Sequence, residues 1–254
     1  MFPYVEQPSL TLGTYTLYFF QLAVSLAVIV GYEVVVRRAP RFGFDAEEVA
    51  GVLAWVILFG FVGSHLFDAL AYYPERVRQN PLELLRIWGS MSSFGGMMGG
   101  LAAALFLARR HGWRGRRALA LADVIAFGFP FAWIFGRLGC ALAHDHVGIA
   151  THSWLGVRFP DGTRFDLGLL ELLYTLPVAA LFYLLDRKPR PTGFYLGLFF
   201  TLYGPVRFAL DTLRTGDARY LGWTPGQFVA VVASIGGVWI LSSALRRSHE
   251  PAEA

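Results

Sequence analysis

Two arginines sit where a charge is expensive. Arg137 lies in Gly136-Arg137-Leu138-Gly139-Cys140, at the end of an apolar run from Ala118 to Ala143, and Arg207 lies inside another apolar run. A charge among lipid tails costs at least a few kcal/mol, so each marks a functional site by default. A guanidinium stays charged in a poor solvent and matches phosphate oxygens with a planar fork of donors. The pair points to anion binding, phosphate above all. The bland alternative is snorkelling to the interface or pairing with a carboxylate. Asp211, four residues after Arg207, is placed for such a pair, and Arg207, Asp211 and Arg214 share one helical face.

Ser92-Ser93-Phe94-Gly95-Gly96-Met97-Met98-Gly99-Gly100 carries two overlapping GxxxG spacings. Either the helix packs closely on a neighbour, or its backbone approaches a bulky headgroup with serine hydroxyls as donors. His144-Asp145-His146, with His152 nearby, has the residue types of a metal site, since alternate residues of an extended loop point the same way. A solvated outer loop is the preferred reading, and no metal or other cofactor is expected. Cys140 is the single cysteine; it excludes an intramolecular disulfide and reads as a small buried residue.

The elements that must position these groups are membrane helices. The 254 residues are 55% hydrophobic and 16% charged, with mean hydropathy +0.48, against about 25% charged in soluble domains. A crossing needs about 20 apolar residues. Seven candidate runs appear: Leu17–Val36, Ala50–Ala71, Met91–Ala108, Ala118–Ala143, Gly168–Leu185, Gly193–Leu210 and Pro225–Leu245. The expectation is an all-α integral membrane protein, one seven-helix domain over residues 1–254. A small external region at 145–167 reads as extended or hairpin structure, with Asp161-Gly162 as the turn. The opening MFPYVEQPSL lacks Lys and Arg, unlike a cleavable signal peptide with a basic n-region.

Thirteen Lys and Arg follow runs one, three, five and seven, against seven in the opposite loops. This bias puts the N-terminus outside and the C-terminus in the cytoplasm. His65 and Asp68, Arg137 and Cys140, Arg207 and Asp211, Ser92 and Ser93, Glu171 and Gln227 then share the outer third of the bilayer. Glu33 and Asp123 fall near inner ends and read as interface residues. A site at one depth suits a lipid headgroup or an exported substrate better than a channel.

The order of these pieces resembles prolipoprotein diacylglyceryl transferase. The resemblance covers nearly the whole chain: Pro8–Leu17, Asn80-Pro81-Leu82-Glu83-Leu84-Leu85-Arg86-Ile87-Trp88, the Ser-Phe-Gly-Gly region, the Gly-Arg-Leu-Gly signature, Tyr203-Gly204-Pro205-Val206-Arg207-Phe208 with Asp211 and Arg214, and Thr224-Pro225-Gly226-Gln227. It implies transfer of a diacylglyceryl group from phosphatidylglycerol to the lipobox cysteine of an exported preprolipoprotein, with glycerol phosphate released. The enzyme would be a multi-pass protein of the bacterial inner membrane, acting in the outer leaflet. Arg207, Asp145 and His65 are then candidate catalytic residues. Arg137, Ser93, Gly95, Gly96, Gly139, Asp211 and Arg214 are candidate phosphatidylglycerol contacts.

Several positions differ from the family pattern. Cys140 and Ala143 stand for two asparagines, Asp145 for a glutamate, Phe94 for a histidine and Phe20 for a tyrosine, while Glu171 and Gly148 are kept. With that histidine absent, His65 or the His144/His146 pair is the expected base. The alternatives are a transferase on the same lipid with another acceptor, and a phospholipid-binding protein without chemistry.

Overall fold

The computed structural model describes residues 1–86 and 91–247. Ile87 and Trp88 of the Asn-Pro motif lie outside the described residues. The helices are α1 (Phe19–Arg38), α2 (Ala46–Phe67), α3 (Pro74–Gln79), α4 (Ser93–Arg110), α5 (Arg116–Ala143), α6 (Leu167–Leu185), α7 (Phe194–Thr212) and α8 (Pro225–Arg247). The strands are β1 (Phe2–Pro3), β2 (Ser9–Leu12), β3 (Tyr15–Tyr18), β4 (Val147–Ala150), β5 (Val157–Phe159) and β6 (Gly162–Asp166). The protein is mostly helical. Among the described residues, five segments are long and apolar enough to cross a membrane: Phe19–Phe42, Ala46–Tyr72, Arg116–Ala143, Leu167–Leu185 and Pro225–Arg247.

The chain divides into two compact units. The first comprises Met1–Val34, Gly128–Pro189 and Ala209–Gly216. Its sheet has the order β1-β5-β6-β4. β5 and β6 pair as a hairpin in which Phe159 faces Gly162. The turn is therefore Pro160-Asp161, one residue earlier than the sequence suggests. β1 adds in parallel to β5, an edge that two residues of sequence do not announce. β2 and β3 form a separate antiparallel hairpin. Three close approaches tie this unit together. A Cβ on Gly139 would fall 3.0 Å from the Ala23 Cβ of α1. One on Gly168 would fall 2.9 Å from Ala141 N of α5. Gly148 bridges to Arg214, and Ile149 N donates to Leu213 O at 3.0 Å.

The second unit comprises Val35–Phe127, Arg190–Phe208 and Asp217–Ala254. Val35, Ala39, Phe44, Val49, Val52, Leu53, Ala108, Trp113, Leu121 and Val124 form one buried cluster in it. α2 starts on Asp45, whose carboxylate accepts from Glu47 N and Glu48 N, a good N-cap. α2 and α4 pack through glycine. A Cβ on Gly63 would stand 2.6 Å from Gly95 O and 2.9 Å from Gly99 Cα. The GxxxG spacing thus serves helix–helix contact. Gly197 and Gly237 do the same between α7 and α8, where a Cβ on Gly197 would fall 2.5 Å from Leu241 N.

Two charges inside this unit have built-in partners. Arg38 stacks over the Phe127 ring at 3.7 Å and lies 5.1 Å from that of Tyr195, a cation–π contact. Asp123, expected at an interface, is 1% exposed. Its carboxylate accepts from Leu196 N at 2.8 Å, where negative charge at the start of α7 offsets the helix dipole.

Candidate active site

The first unit builds a polar cluster around Arg137. α5 presents Trp133, Arg137 and Cys140 at i, i+4 and i+7, so all three share one face. The close approach of Gly168 to the end of α5 sets the first turn of α6 against it. Glu171, one turn further on, then meets Arg137. The Arg137 Nε lies 3.1 Å from Glu171 Oε1, with side-chain exposures of 5% and 1%. Trp133 Nε1 donates to the same Oε1 at 3.0 Å. The Arg137 guanidinium lies 4.4 Å from the Trp133 ring centroid, and its Nη1 is 3.7 Å from Cys140 Sγ. Both the carboxylate and the indole hold the guanidinium in place. A buried pair of this kind is costly to break, about 3–5 kcal/mol when one partner is removed, because the other is left as a buried charge.

Past the end of α5, His144 and His146 part company. His144 adopts a left-handed φ of 51°. Its Nδ1 is 2.5 Å from Asp166 Oδ2 and its Nε2 is 3.0 Å from Val5 O. A carbonyl only accepts, so Nε2 carries a proton. The ring also stacks on Tyr4 with centroids 4.7 Å apart. Asp166 meanwhile caps α6 by accepting from Leu169 N at 2.9 Å. Burial pushes the Asp166 carboxyl up, more than the hydrogen bond from His144 pulls it down. His144 is thus a latch between the N-terminal segment at Tyr4 and Val5 and the start of α6. We expect His144→Ala to cost about 1–3 kcal/mol of local stability and to speed limited proteolysis within residues 1–8 relative to cleavage elsewhere.

His146 Nδ1 bonds Asp145 Oδ1 at 2.5 Å. Burial raises the Asp145 carboxyl, but the hydrogen bond and charge of His146, with the charge of Arg137, outweigh it and hold it below the usual carboxylate range. Cys140, Asp145 and His146 bring their Sγ, carboxylate and imidazole atoms within 4.8 Å of one another. Of the two histidines expected as a pair, only His146 joins this cluster.

The second unit holds Arg207, Ser93, Gly95, Gly96 and His65. Arg207 on α7 is 4% exposed, its guanidinium 5.6 Å from the Phe94 ring. Phe94 is next to Tyr203, which stacks on Phe199 with centroids 5.2 Å apart. Ser93 opens α4, behind the Ser92 N-cap. Gly95 packs on Gly63, while a Cβ on Gly96 would be in ordinary contact, 3.5 Å from Gly60 O. His65 is buried, and its Nε2 bonds Glu83 O at 3.0 Å. A cavity of about 260 Å³ opens there, lined by His65, Asp68, Tyr73, Arg76, Glu83 and Arg86. Asp211 and Arg214 belong to the first unit, where Asp211 is fully buried. Gly139 has its packing role against α1.

Glu171 is the residue that sequence reading leaves without a job. Its signal is present: it is the sole carboxylate between Gly168 and Leu185, and an ionisable group in an apolar helix asks for a named partner.

The family model for prolipoprotein diacylglyceryl transferase matches residues 8–243. Relatives bearing the name phosphatidylglycerol–prolipoprotein diacylglyceryl transferase include one from Pseudomonas paraeruginosa, 28% identical, covering 97% of this chain and 96% of the relative. Another, from Nitratidesulfovibrio vulgaris, is 31% identical over 94% and 95%. A third, from Glaesserella parasuis, is 32% identical over 97% and 95%. With a buried arginine in its Gly-Arg-Leu-Gly segment and a match running almost end to end, the chain belongs to the prolipoprotein diacylglyceryl transferase family.

Proposed function

We propose that the protein transfers the diacylglyceryl group of phosphatidylglycerol to the thiol of a lipobox cysteine in an exported preprolipoprotein, releasing glycerol phosphate. The observation that carries this reading is Arg137, buried and held by Glu171 and Trp133, in a chain of this family. The chemistry is displacement at a tetrahedral carbon. Sulfur attacks the glyceryl carbon, and the carbon–oxygen bond to phosphate breaks. Negative charge grows on the departing phosphate, and a fixed cation in a water-poor site stabilises that charge more than it stabilises the intact lipid. A guanidinium has five N–H donors, and the Glu171 carboxylate orients them. Arg207 is the second cation of the reading. Asp211, Arg214 and Ser93 act on the headgroup. Asp145 is the carboxylate of the reading beside Arg137, and Gly95 and Gly139 act as spacers that set helix distance.

The membrane frame belongs to the same proposal. α4 and α7 join the five long apolar segments to make seven crossings, with the N-terminus outside, the C-terminus cytoplasmic, and the reaction in the outer leaflet of a bacterial inner membrane. The uneven placement of Arg and Lys supports that orientation.

The test uses protein in mild detergent, phosphatidylglycerol and a peptide with one acceptor cysteine. We expect the peptide to gain one diacylglyceryl mass as glycerol phosphate appears in equal amount, and a serine peptide to gain nothing. Glycerol phosphate release with an unmodified cysteine peptide would replace the transferase with a lipid hydrolase.

A further inference from the structure

The reaction needs a thiolate, whereas a free cysteine thiol has a pKa of about 8.5. Two of the expected histidines are already committed. His144 is latched between Asp166 and Val5, and His65 is bonded to Glu83 O. His146 instead belongs to the cluster with Asp145 and Cys140. We propose that Cys140, Asp145 and His146 bind a zinc ion whose fourth position takes the acceptor cysteine as its thiolate. The inference rests on the transferase reading above and supplies its missing base.

The donor set is the first argument. One thiolate, one imidazole and one carboxylate form a borderline-soft set that suits zinc. Three protein ligands leave the fourth tetrahedral position open, which is the pattern of a catalytic rather than a structural zinc. Bond lengths of about 2.0–2.3 Å put tetrahedral ligand atoms roughly 3.3–3.8 Å apart. The three atoms here lie within 4.8 Å of one another. The ion would replace the present bond between His146 Nδ1 and Asp145 Oδ1, and both residues stand in a turn past the helix end, where an adjustment of about 1 Å is local.

Charge is the second argument. Glu171 offsets Arg137 at 3.1 Å. The Cys140 thiolate and the Asp145 carboxylate then leave two negative charges for a divalent ion to neutralise. Arg137 Nη1 lies 3.7 Å from Cys140 Sγ, and bound zinc holds a cysteine ligand as its thiolate. Access is the third. Asp145 is exposed, and Cys140 and His146 are half-buried, so an incoming thiol can reach the ion.

The step balances. The acceptor thiol enters the open position and its proton leaves to water, since a thiol bound to zinc is deprotonated. The sulfur lone pair attacks the glyceryl carbon. The carbon–sulfur bond forms as the carbon–oxygen bond breaks, and the electron pair departs on the phosphate of glycerol phosphate. The product thioether is neutral and a weaker ligand, so it leaves the metal.

Cobalt reports on such a site without any turnover. Protein stripped with a chelator is titrated with Co²⁺. Since Cys140 is the only cysteine, a sulfur-to-cobalt charge-transfer band in the near ultraviolet can come from it alone. We expect that band together with tetrahedral ligand-field bands. We expect the charge-transfer band to vanish in Cys140→Ser, and the affinity to fall at least tenfold in Asp145→Asn and His146→Ala, with all variants monodisperse in detergent. A cysteine peptide should shift the wild-type spectrum where a serine peptide does not. Absence of the charge-transfer band in monodisperse wild-type protein overturns the site. A band that ignores the cysteine peptide overturns the acceptor's binding. Undiminished transfer by the stripped protein overturns the metal's role and leaves the transferase reading standing. A cobalt site that answers the cysteine peptide, in a protein that modifies no peptide with any metal, overturns the transferase reading instead and leaves the site standing.

Discussion

Arg137→Ala lowers diacylglyceryl transfer by about 10²–10³-fold, the loss that follows removal of one preorganised donor from a developing negative charge. Its KM for phosphatidylglycerol rises less than its kcat falls, because the interaction strengthens in the transition state. Arg137→Lys restores little. A lysine places a point charge where the Glu171 contact and the Trp133 stack require a planar fork. The Glu171 variants separate the two roles of the pair. Glu171→Ala leaves the guanidinium buried without its carboxylate, destabilises the protein by about 3–5 kcal/mol, and reduces activity through position rather than charge. Glu171→Gln keeps an acceptor for Trp133 and retains more activity than Glu171→Ala. Steady-state assays with a cysteine peptide, paired with thermal unfolding in detergent, check each of these. Equal activity in wild type and Arg137→Ala removes the guanidinium from the chemistry.

Gly95→Val produces the largest structural effect. The new Cβ would press on Gly63 O and the Phe67 Cβ at distances that real side chains do not reach. The obstruction includes backbone, so no rotamer change relieves it, and the helices must separate along their contact. Overpacking costs about 1–3 kcal/mol and sometimes more; this site belongs at or above the upper end. We expect Gly95→Val to elute as aggregate after detergent extraction. Gly51→Ala on the same α2 meets open space and stays monodisperse, with stability unchanged or raised by up to about 1 kcal/mol. A well-behaved Gly95→Val protein would mean that α2 and α4 do not touch along this face.

What the sequence reveals follows from how local each signal is. Arg137 and Arg207 announce themselves because a single charge in an apolar run is costly wherever the neighbouring helices lie. The glycines of α4 announce close packing through their spacing, and the structure gives that reading a partner in Gly63. Helix positions follow from hydropathy, so the five long apolar segments are found where expected. Pairings are harder to read. Arg137 and Glu171 are 34 residues apart, and only the approach of Gly168 to α5 sets the register that joins them. β1 is two residues long, too short for any periodicity, and is held by the β5 ladder, with the His144 latch on Val5 just after it. His144 and His146 alternate in sequence, yet the left-handed turn at His144 sends them to different partners. That turn also places His146 with Asp145 and Cys140, which sequence spacing alone leaves as a loop and a small apolar residue. Asp123 looks like an interface carboxylate because nothing local reveals the start of α7 beside it.

The most direct test of the central claim traces the lipid's two glycerols. Phosphatidylglycerol carrying heavy isotope only in the glycerol that bears the acyl chains is incubated with the protein and a cysteine peptide. The account predicts that the label moves entirely to the peptide as a thioether and that unlabelled glycerol phosphate is released in equal amount. Unlabelled glycerol on the peptide, or label in the released glycerol phosphate, would contradict displacement at the diacylglyceryl carbon.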